Sequence, residues 1–150
     1  MSAIDAQVGH PDLRNFLSAL RAANDDREVQ RIVKEAVGPT ELMEFMRFNQ
    51  GEVLRHDPEP VFARQVGEGT SNIVRLLIGN PLIMRQMAKH VPDAGSYAPV
   101  TILVDERPDG VHISYDRMTS LLRPYENAAA LEIARTLDTK IETLITTAAK

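Results

Sequence analysis

The side chains best suited to acid–base chemistry are His112 and the carboxylates near it. In a strand, the His112 side chain would point away from its two apolar neighbours, toward solvent or a cavity. An unperturbed imidazole titrates near neutral pH, which suits a general base. Asp105 or Asp116 would have to orient the ring from within hydrogen-bond distance. His112 is therefore the first catalytic candidate, and His90 is the second.

The spacing of the histidines does not predict a metal site. His10, His56, His90 and His112 form no His-x₃-His or His-Glu-x-x-His pair, and the chain contains no cysteine. His90 instead ends a helical pattern, where an imidazolium would stabilise the last carbonyl groups of the helix. A cluster assembled only in three dimensions stays open, but we expect no metal and no other cofactor.

Tyrosines and methionines are the candidates for lining a binding site. Tyr97, Tyr115 and Tyr125 lie near one predicted hairpin, and each combines an apolar ring with a hydroxyl group. Methionines such as Met87 are flexible and suit an adaptable apolar pocket. We expect Tyr97, His112, Tyr115 and Met87 to contact a small apolar or amphipathic molecule. Packing in the core is the alternative interpretation for the tyrosines and for Met87.

The sequence lacks the common motifs for phosphate binding and for serine hydrolysis. Asn80-Pro81 is typical of a helix N-terminus, and helix N-termini attract anions. Only Gly79 precedes this position, however, and no glycine-rich phosphate loop or Gly-x-Ser-x-Gly elbow occurs. A nucleotide-binding or serine-hydrolase function is therefore disfavoured.

Composition restricts the class of protein. The chain has 150 residues and a net charge of −4, from 17 Lys and Arg against 21 Asp and Glu. This length is typical of a single domain, and the lack of cysteine excludes disulfides and thiolate chemistry. The acidic balance argues against a nucleic-acid partner. We found no leader pattern and no run of 18 apolar residues, so we expect a cytoplasmic protein without a membrane partner.

Helical patterns dominate the first 38 residues. Two helices are predicted, one behind Pro11 and one capped by Asp25 or Asp26, the second ending at Gly38-Pro39. Their apolar positions recur at helical spacing: Leu13, Phe16, Leu17 and Leu20, then Val29, Ile32, Val33 and Ala36. Residues 40–49 fit a helix or a strand, and we favour a strand. Beyond them we predict one or two helical turns at 50–56 and paired strands at 61–66 and 72–78, joined by a turn at 67–70.

The second half combines helices with a hairpin. Asn80-Pro81 begins a third helix, and a strand that starts at Pro99 is apolar on both faces. The turn Arg107–Gly110 leads into a returning strand at 111–115. A final helix from about Glu126 carries one apolar stripe that should cover the sheet. These patterns predict a single α+β domain.

From about Thr40 to Lys150 the chain also resembles a bacterial family, domain-of-unknown-function family 302. The resemblance rests on Ile78-Gly-Asn-Pro81, the Met-rich helix with His90, Tyr97-Ala-Pro99, Asp109-Gly110, Ser114-Tyr115-Asp116 and Leu137-Asp138. It implies a TBP-like fold, a curved antiparallel sheet backed by helices, and a homodimer. The helices of residues 1–38 would then form an N-terminal extension. One departure is Asp105, where a tyrosine is usual in the family.

Three functions are compatible with these observations. The first is a homodimeric module that binds a small apolar or amphipathic molecule. The second is a cofactor-free enzyme in which His112 or His90 pairs with Asp105 or Asp116 inside a cleft. The third is a domain whose sheet only dimerises. We place the binding module first because of the apolar strand, the methionines and the lack of a catalytic motif.

Overall fold

A computed structural model describes residues 1–49 and 73–150 of the chain. Within these residues one antiparallel sheet has the strand order β1-β2-β3-β4, with β1 at Met43–Asn49, β2 at Ile73–Gly79, β3 at Val100–Arg107 and β4 at Gly110–Tyr115. The α-helices of the same residues are α1 (Ser2–Asp5), α2 (Leu13–Ala22), α3 (Asp26–Ala36), α4 (Pro81–His90), α5 (Met118–Leu122) and α6 (Ala128–Ala148). Short 3₁₀ turns occupy Pro92–Ser96 and Arg123–Tyr125. The predicted α+β class, with an open antiparallel sheet backed by helices, is confirmed.

The strands that we predicted for residues 40–49, 72–78, 99–105 and 111–115 are present as β1 to β4. The helical turns predicted at 50–56, the strand at 61–66 and the turn at 67–70 lie outside the described residues. We did not predict α1, α5 or the 3₁₀ turns, because segments this short contain too few residues for a periodic pattern.

Side-chain caps set the first residue of each longer helix. Asp12 accepts a hydrogen bond from the backbone of Asn15 at 2.8 Å, so α2 begins after this residue rather than directly behind Pro11. The predicted caps Asp25 and Asn80 are confirmed for α3 and α4. Asn127 caps α6, which therefore begins two residues after the position that we predicted.

The sheet has one face toward the core and one face away from it. On β3, Val100, Ile102 and Val104 are buried in the main hydrophobic cluster with side chains from α4 and α6. Thr101 and Leu103 alternate with them and point to the other face. The strand register places Arg75 of β2 opposite Leu103, and Ser114 of β4 on its other side. These polar and apolar side chains therefore share the face of the sheet that is opposite the core.

Hydrogen bonds join the segment after α1 to the edge of the sheet. The backbone N–H of Gly9 donates to Leu42 at 2.8 Å, and the N–H of Glu44 donates to Gly9 at 2.9 Å, which makes a parallel bridge beside β1. Both Gly9 and Gly38 lie where two backbones cross. A Cβ atom on Gly38 would be 2.5 Å from the carbonyl carbon of Val8. The crossing therefore requires glycine at both positions.

Glu126 has a left-handed backbone conformation, with a φ of 52°. A side chain with a Cβ atom costs about 1–2 kcal/mol in this region. We expect Glu126→Gly to stabilise the fold by about 0.5 kcal/mol, because the greater flexibility of unfolded glycine offsets part of the gain. Urea unfolding measures the change. Glu126→Ala, which keeps the Cβ atom, should show no gain; a destabilised glycine variant would contradict the prediction.

Candidate functional site

An open groove of about 580 Å³ lies where β3 begins and β4 ends. Its walls come from β2, the segment before β3, the first half of β3, the end of β4 and α5: Arg75, Ser96, Tyr97, Pro99, Val100, Thr101, Leu103, Ser114, Tyr115, Asp116 and Leu121. Small-molecule sites typically have volumes of about 300–1,000 Å³ and apolar walls with a few polar groups. The groove has this size and this mixture of groups. It includes Tyr97, Tyr115 and Asp116, three of the residues that we predicted for a site.

Arg75 supplies the positive charge of the groove. Its Nε and Nη2 atoms lie 3.4 and 3.3 Å from the Thr101 hydroxyl oxygen, to which they can donate only long hydrogen bonds. The guanidinium carbon is 6.0 Å from the centre of the Phe48 ring. No carboxylate pairs with Arg75 in residues 1–49 and 73–150. We did not predict a role for Arg75, although a single charge inside the apolar run of β2 was a usable signal.

Tyr115 forms one wall of the groove and is anchored behind it. Its hydroxyl donates a hydrogen bond to the carboxylate of Asp138, which is 5% exposed on α6. The same carboxylate accepts hydrogen bonds from the backbone of Met118 at 2.8 Å and Thr119 at 3.1 Å, and from the Thr119 hydroxyl at 2.7 Å. Asp138 therefore links α6 to β4 and to the first turn of α5. These hydrogen bonds fix the position of Tyr115.

Burial, together with the hydrogen bond to Asp138, raises the pKa of Tyr115 well above its ordinary value of 10.0. In the unfolded chain this tyrosine loses its proton near pH 10, whereas in the folded protein it retains the proton to higher pH. Its contribution to stability is therefore complete below pH 10 and decreases above it. The limit for one proton is about 1.4 kcal/mol per pH unit.

We expect Tyr115→Phe to reduce the loss of stability above pH 10. Urea unfolding at pH 8, 9, 10 and 10.5 measures this slope for both proteins. The reference for both proteins is the free energy of unfolding at pH 8, which is below the pKa of Tyr115 in both states, so the difference there contains only the pH-independent effect of the substitution. Equal slopes for Tyr115→Phe and the unmodified protein would show that Tyr115 does not cause the loss.

A second tyrosine pair lies at one end of the groove. The hydroxyl oxygens of Tyr97 and Tyr125 are 3.2 Å apart. This hydrogen bond is the main cause that raises the pKa of Tyr125 to about 12, with a smaller contribution from the negative charge of Asp93. Tyr97 lines the groove, whereas Tyr125 lies outside it and forms a hydrogen bond with the Tyr97 hydroxyl. A tyrosine hydroxyl can donate and accept a hydrogen bond, so each of the two can bind a ligand or the other tyrosine.

The histidine–carboxylate pairs that we predicted are not formed. His112 and Asp105 lie opposite each other in the β3–β4 register, but the His112 Nε2 atom is 2.8 Å from a carboxylate oxygen of Asp109. Asp105 is held by Arg107, whose Nε atom is 2.5 Å from the carboxylate. The His112 and Asp109 side chains are 37% and 72% exposed on the hairpin, outside the groove. The hydrogen bond to His112 lowers the pKa of Asp109.

The remaining predicted residues are also separated. Met87 is fully buried in the main core because its position on α4 faces the sheet, so it does not line the groove as we expected. His90 is exposed at the last residue of α4. Asp116 is exposed at the edge of the groove, directly after β4.

One group of possible metal ligands is assembled in three dimensions. Atoms of Asp5, His10 and Glu44 lie within 4.8 Å of one another. Arg47 lies between the two carboxylates, however, with its Nη2 atom 2.5 Å from Asp5 and 2.6 Å from Glu44. These hydrogen bonds raise the pKa of Arg47. The guanidinium already neutralises the acidic groups, so the cluster is explained as an ion-pair network.

Comparisons with known proteins identify relatives but no activity. The profile of a family described as domain of unknown function DUF302 matches residues 27–148, and so begins earlier than the resemblance that we placed at about Thr40. The crystal structure of an uncharacterized conserved DUF302 protein from Bacillus stearothermophilus is 13% identical, covers 94% of each chain and has a TM-score of 0.59. This likeness shows the fold. No curated protein matches the chain. Among the described helices, none is long and apolar enough to cross a membrane.

Proposed function

The chain belongs to the DUF302 family, and from the groove between β3, β4 and α5 we propose that it binds a small amphipathic molecule. The observation that carries the proposal is the composition of the groove wall. Pro99, Leu103 and Leu121 offer apolar contact, while hydroxyl groups such as that of Thr101 offer hydrogen bonds. A ligand with an apolar body and one polar end would satisfy both kinds of surface.

The position of the tyrosines supports this proposal. Tyr97 and Tyr115 stand on different segments and both contact the groove. Each is fixed by a hydrogen bond, Tyr97 to Tyr125 and Tyr115 to Asp138. Side chains that are held in place before binding lose little conformational freedom when a ligand arrives. The groove is therefore suited to bind without a large rearrangement.

A second copy of the chain is the partner that we propose for the same sheet. Met46 and Phe48 of β1 are 44% and 42% exposed, and they share the face of Arg75 and Leu77. Contact with another copy would remove these large apolar side chains from water. The dimer that the family resemblance implies would provide such a contact.

The two other functions have less support. A cofactor-free enzyme would need a histidine and a carboxylate together in a cleft, and His112 instead pairs with Asp109 on an exposed hairpin. A domain that only dimerises would leave the groove without a role. We therefore keep the binding module as the first proposal.

Native mass spectrometry of the protein purified from its own host tests the proposal. We expect a dimer mass that carries a small molecule, and release of that molecule under denaturing conditions. Ser114→Phe should abolish binding of the small molecule, because the phenyl ring would fill the groove. Val111→Phe, on the same strand but outside the groove, should retain it. A protein that never carries a small molecule, or one that Ser114→Phe leaves loaded, would overturn the proposal.

A further inference from the structure

We propose that the ligand of this groove carries one anionic group, which Arg75 binds through its guanidinium. The inference rests on the proposed function, because it assigns the ligand class of the same groove. A carboxylic or sulfonic acid with an apolar body is the chemistry that fits. Neutral lipids and sugars can accept hydrogen bonds from this side chain but bring no counter-charge, and a cationic molecule would be repelled by it.

The first argument is the lack of a counter-charge. Arg75 is half-buried in the middle of β2, and burying a charge is costly unless an opposite charge or strong hydrogen bonds compensate. On the neighbouring strands, Arg47 contacts Asp5 and Glu44, and Arg107 contacts Asp105. In the part of the chain that the structure describes, the only side-chain hydrogen-bond partner of Arg75 is the Thr101 hydroxyl, and no carboxylate pairs with it. An anionic ligand would supply the missing charge.

The second argument is the number of free donors. A guanidinium has five N–H groups in a planar fork that matches the oxygens of a carboxylate or sulfonate. The two contacts with Thr101 are long and share one oxygen atom, so among residues 1–49 and 73–150 most of these donors have no partner. The Phe48 ring lies 6.0 Å from the guanidinium carbon and leaves the edge of the fork open. Arg75 can therefore bind two ligand oxygens at once.

The third argument is the distribution of charge and apolar surface along the groove. Asp116 is the only carboxylate among the described lining residues, and it is exposed at the edge, where water screens it. Leu103 is the register partner of Arg75, so an apolar wall begins directly beside the cation. A molecule with its acid group at Arg75 would place its apolar body along Leu103 and Pro99. This arrangement favours a monoanionic amphiphile.

Two fluorescent probes of nearly the same shape test the inference. The anionic probe 1-anilinonaphthalene-8-sulfonate and the neutral N-phenyl-1-naphthylamine differ by the sulfonate group. We expect Arg75→Gln to weaken binding of the anionic probe about ten- to a hundredfold, the effect of losing charge-assisted hydrogen bonds. Binding of the neutral probe should change less than about threefold. Added salt should lower the affinity for the anionic probe and leave the affinity for the neutral probe unchanged.

Control variants separate the inference from other effects. Arg123→Gln removes the same charge at an exposed position outside the groove, and it should leave both affinities unchanged. Arg75→Lys keeps the charge but not the fork, so its affinity for the anionic probe should be intermediate. Urea unfolding confirms that each variant is folded before its affinity is compared.

The possible outcomes distinguish a failure of this inference from a failure of the proposed binding function on which it rests. If Ser114→Phe blocks both probes while Arg75→Gln weakens only the anionic one, both proposals are supported. If Ser114→Phe blocks both probes and Arg75→Gln affects them equally, the groove binds amphiphiles but the anionic class is wrong. If Ser114→Phe blocks neither probe, the probes bind elsewhere and both proposals fail.

Discussion

Replacing Gly9 by alanine is expected to destabilise the protein by about 3 kcal/mol or more. A Cβ atom at this position would lie 1.8 Å from the carbonyl oxygen of Ala36 and 2.9 Å from the carbonyl carbon of Val37. Both are backbone atoms, so no change of rotamer relieves the overlap. The crossing would have to separate, and the hydrogen bonds of Gly9 with Leu42 and Glu44 would be lost or lengthened.

Urea unfolding of the Gly9→Ala variant measures this loss. Gly95→Ala is the matched control, since no atom lies within 4 Å of a Cβ built there. We expect the control to change the free energy of unfolding by less than about 0.5 kcal/mol, as is usual for surface substitutions. If both alanine variants are equally stable, the backbones do not cross as closely as described.

The second large effect is expected for Asp138→Ala, at about 3–5 kcal/mol, because several buried donors lose one shared acceptor and each costs about 1–3 kcal/mol. The substitution leaves the N–H groups of Met118 and Thr119 and the hydroxyl of Tyr115 without their acceptor in a buried site. It also leaves a space beneath α5. For a protein whose total stability is typically about 5–15 kcal/mol, this change approaches the limit of folding.

Glu142→Ala provides the comparison for Asp138→Ala because it removes a carboxylate one turn further along α6. Glu142 forms an ion pair with Arg117 at 2.7 Å, but both side chains are largely exposed. Exposed pairs typically contribute about 1 kcal/mol or less. Asp138→Asn should lose less stability than Asp138→Ala, since the amide oxygen can still accept a hydrogen bond. A loss below 1 kcal/mol for Asp138→Ala would refute the anchoring role.

Much of the fold follows from local sequence signals. The helix α4 is specified by the cap Asn80 and by Pro81 in its first turn, and α6 by its apolar stripe. The β3–β4 hairpin follows from Pro108 and from Gly110, whose φ of 135° is a conformation that favours glycine. Each of these signals lies within one continuous segment of the chain, so the sequence alone was sufficient.

The candidate site was predicted less well, because its contacts join residues that are distant in sequence. Tyr97 and Tyr115 were recognised from their chemistry, but Arg75 enters the groove only through the pairing of β2 with β3. We predicted the wrong partner for His112, because Asp109 reaches the imidazole across the turn and Asp105 is held by Arg107. Similarly, the inward direction of Met87 depends on how α4 packs.

The packing of α1 against α6 has a consequence for the order of folding. Ile4 is 1% exposed and belongs to the same core cluster as Ile141 and Leu144, so elements from opposite ends of the described chain are in contact. Bringing such distant residues together requires closure of a very long loop, and its entropic cost is incurred before the contact can form. The hairpin and the single helices can form early from neighbouring residues. We therefore expect the contact between α1 and α6 to form after these local elements.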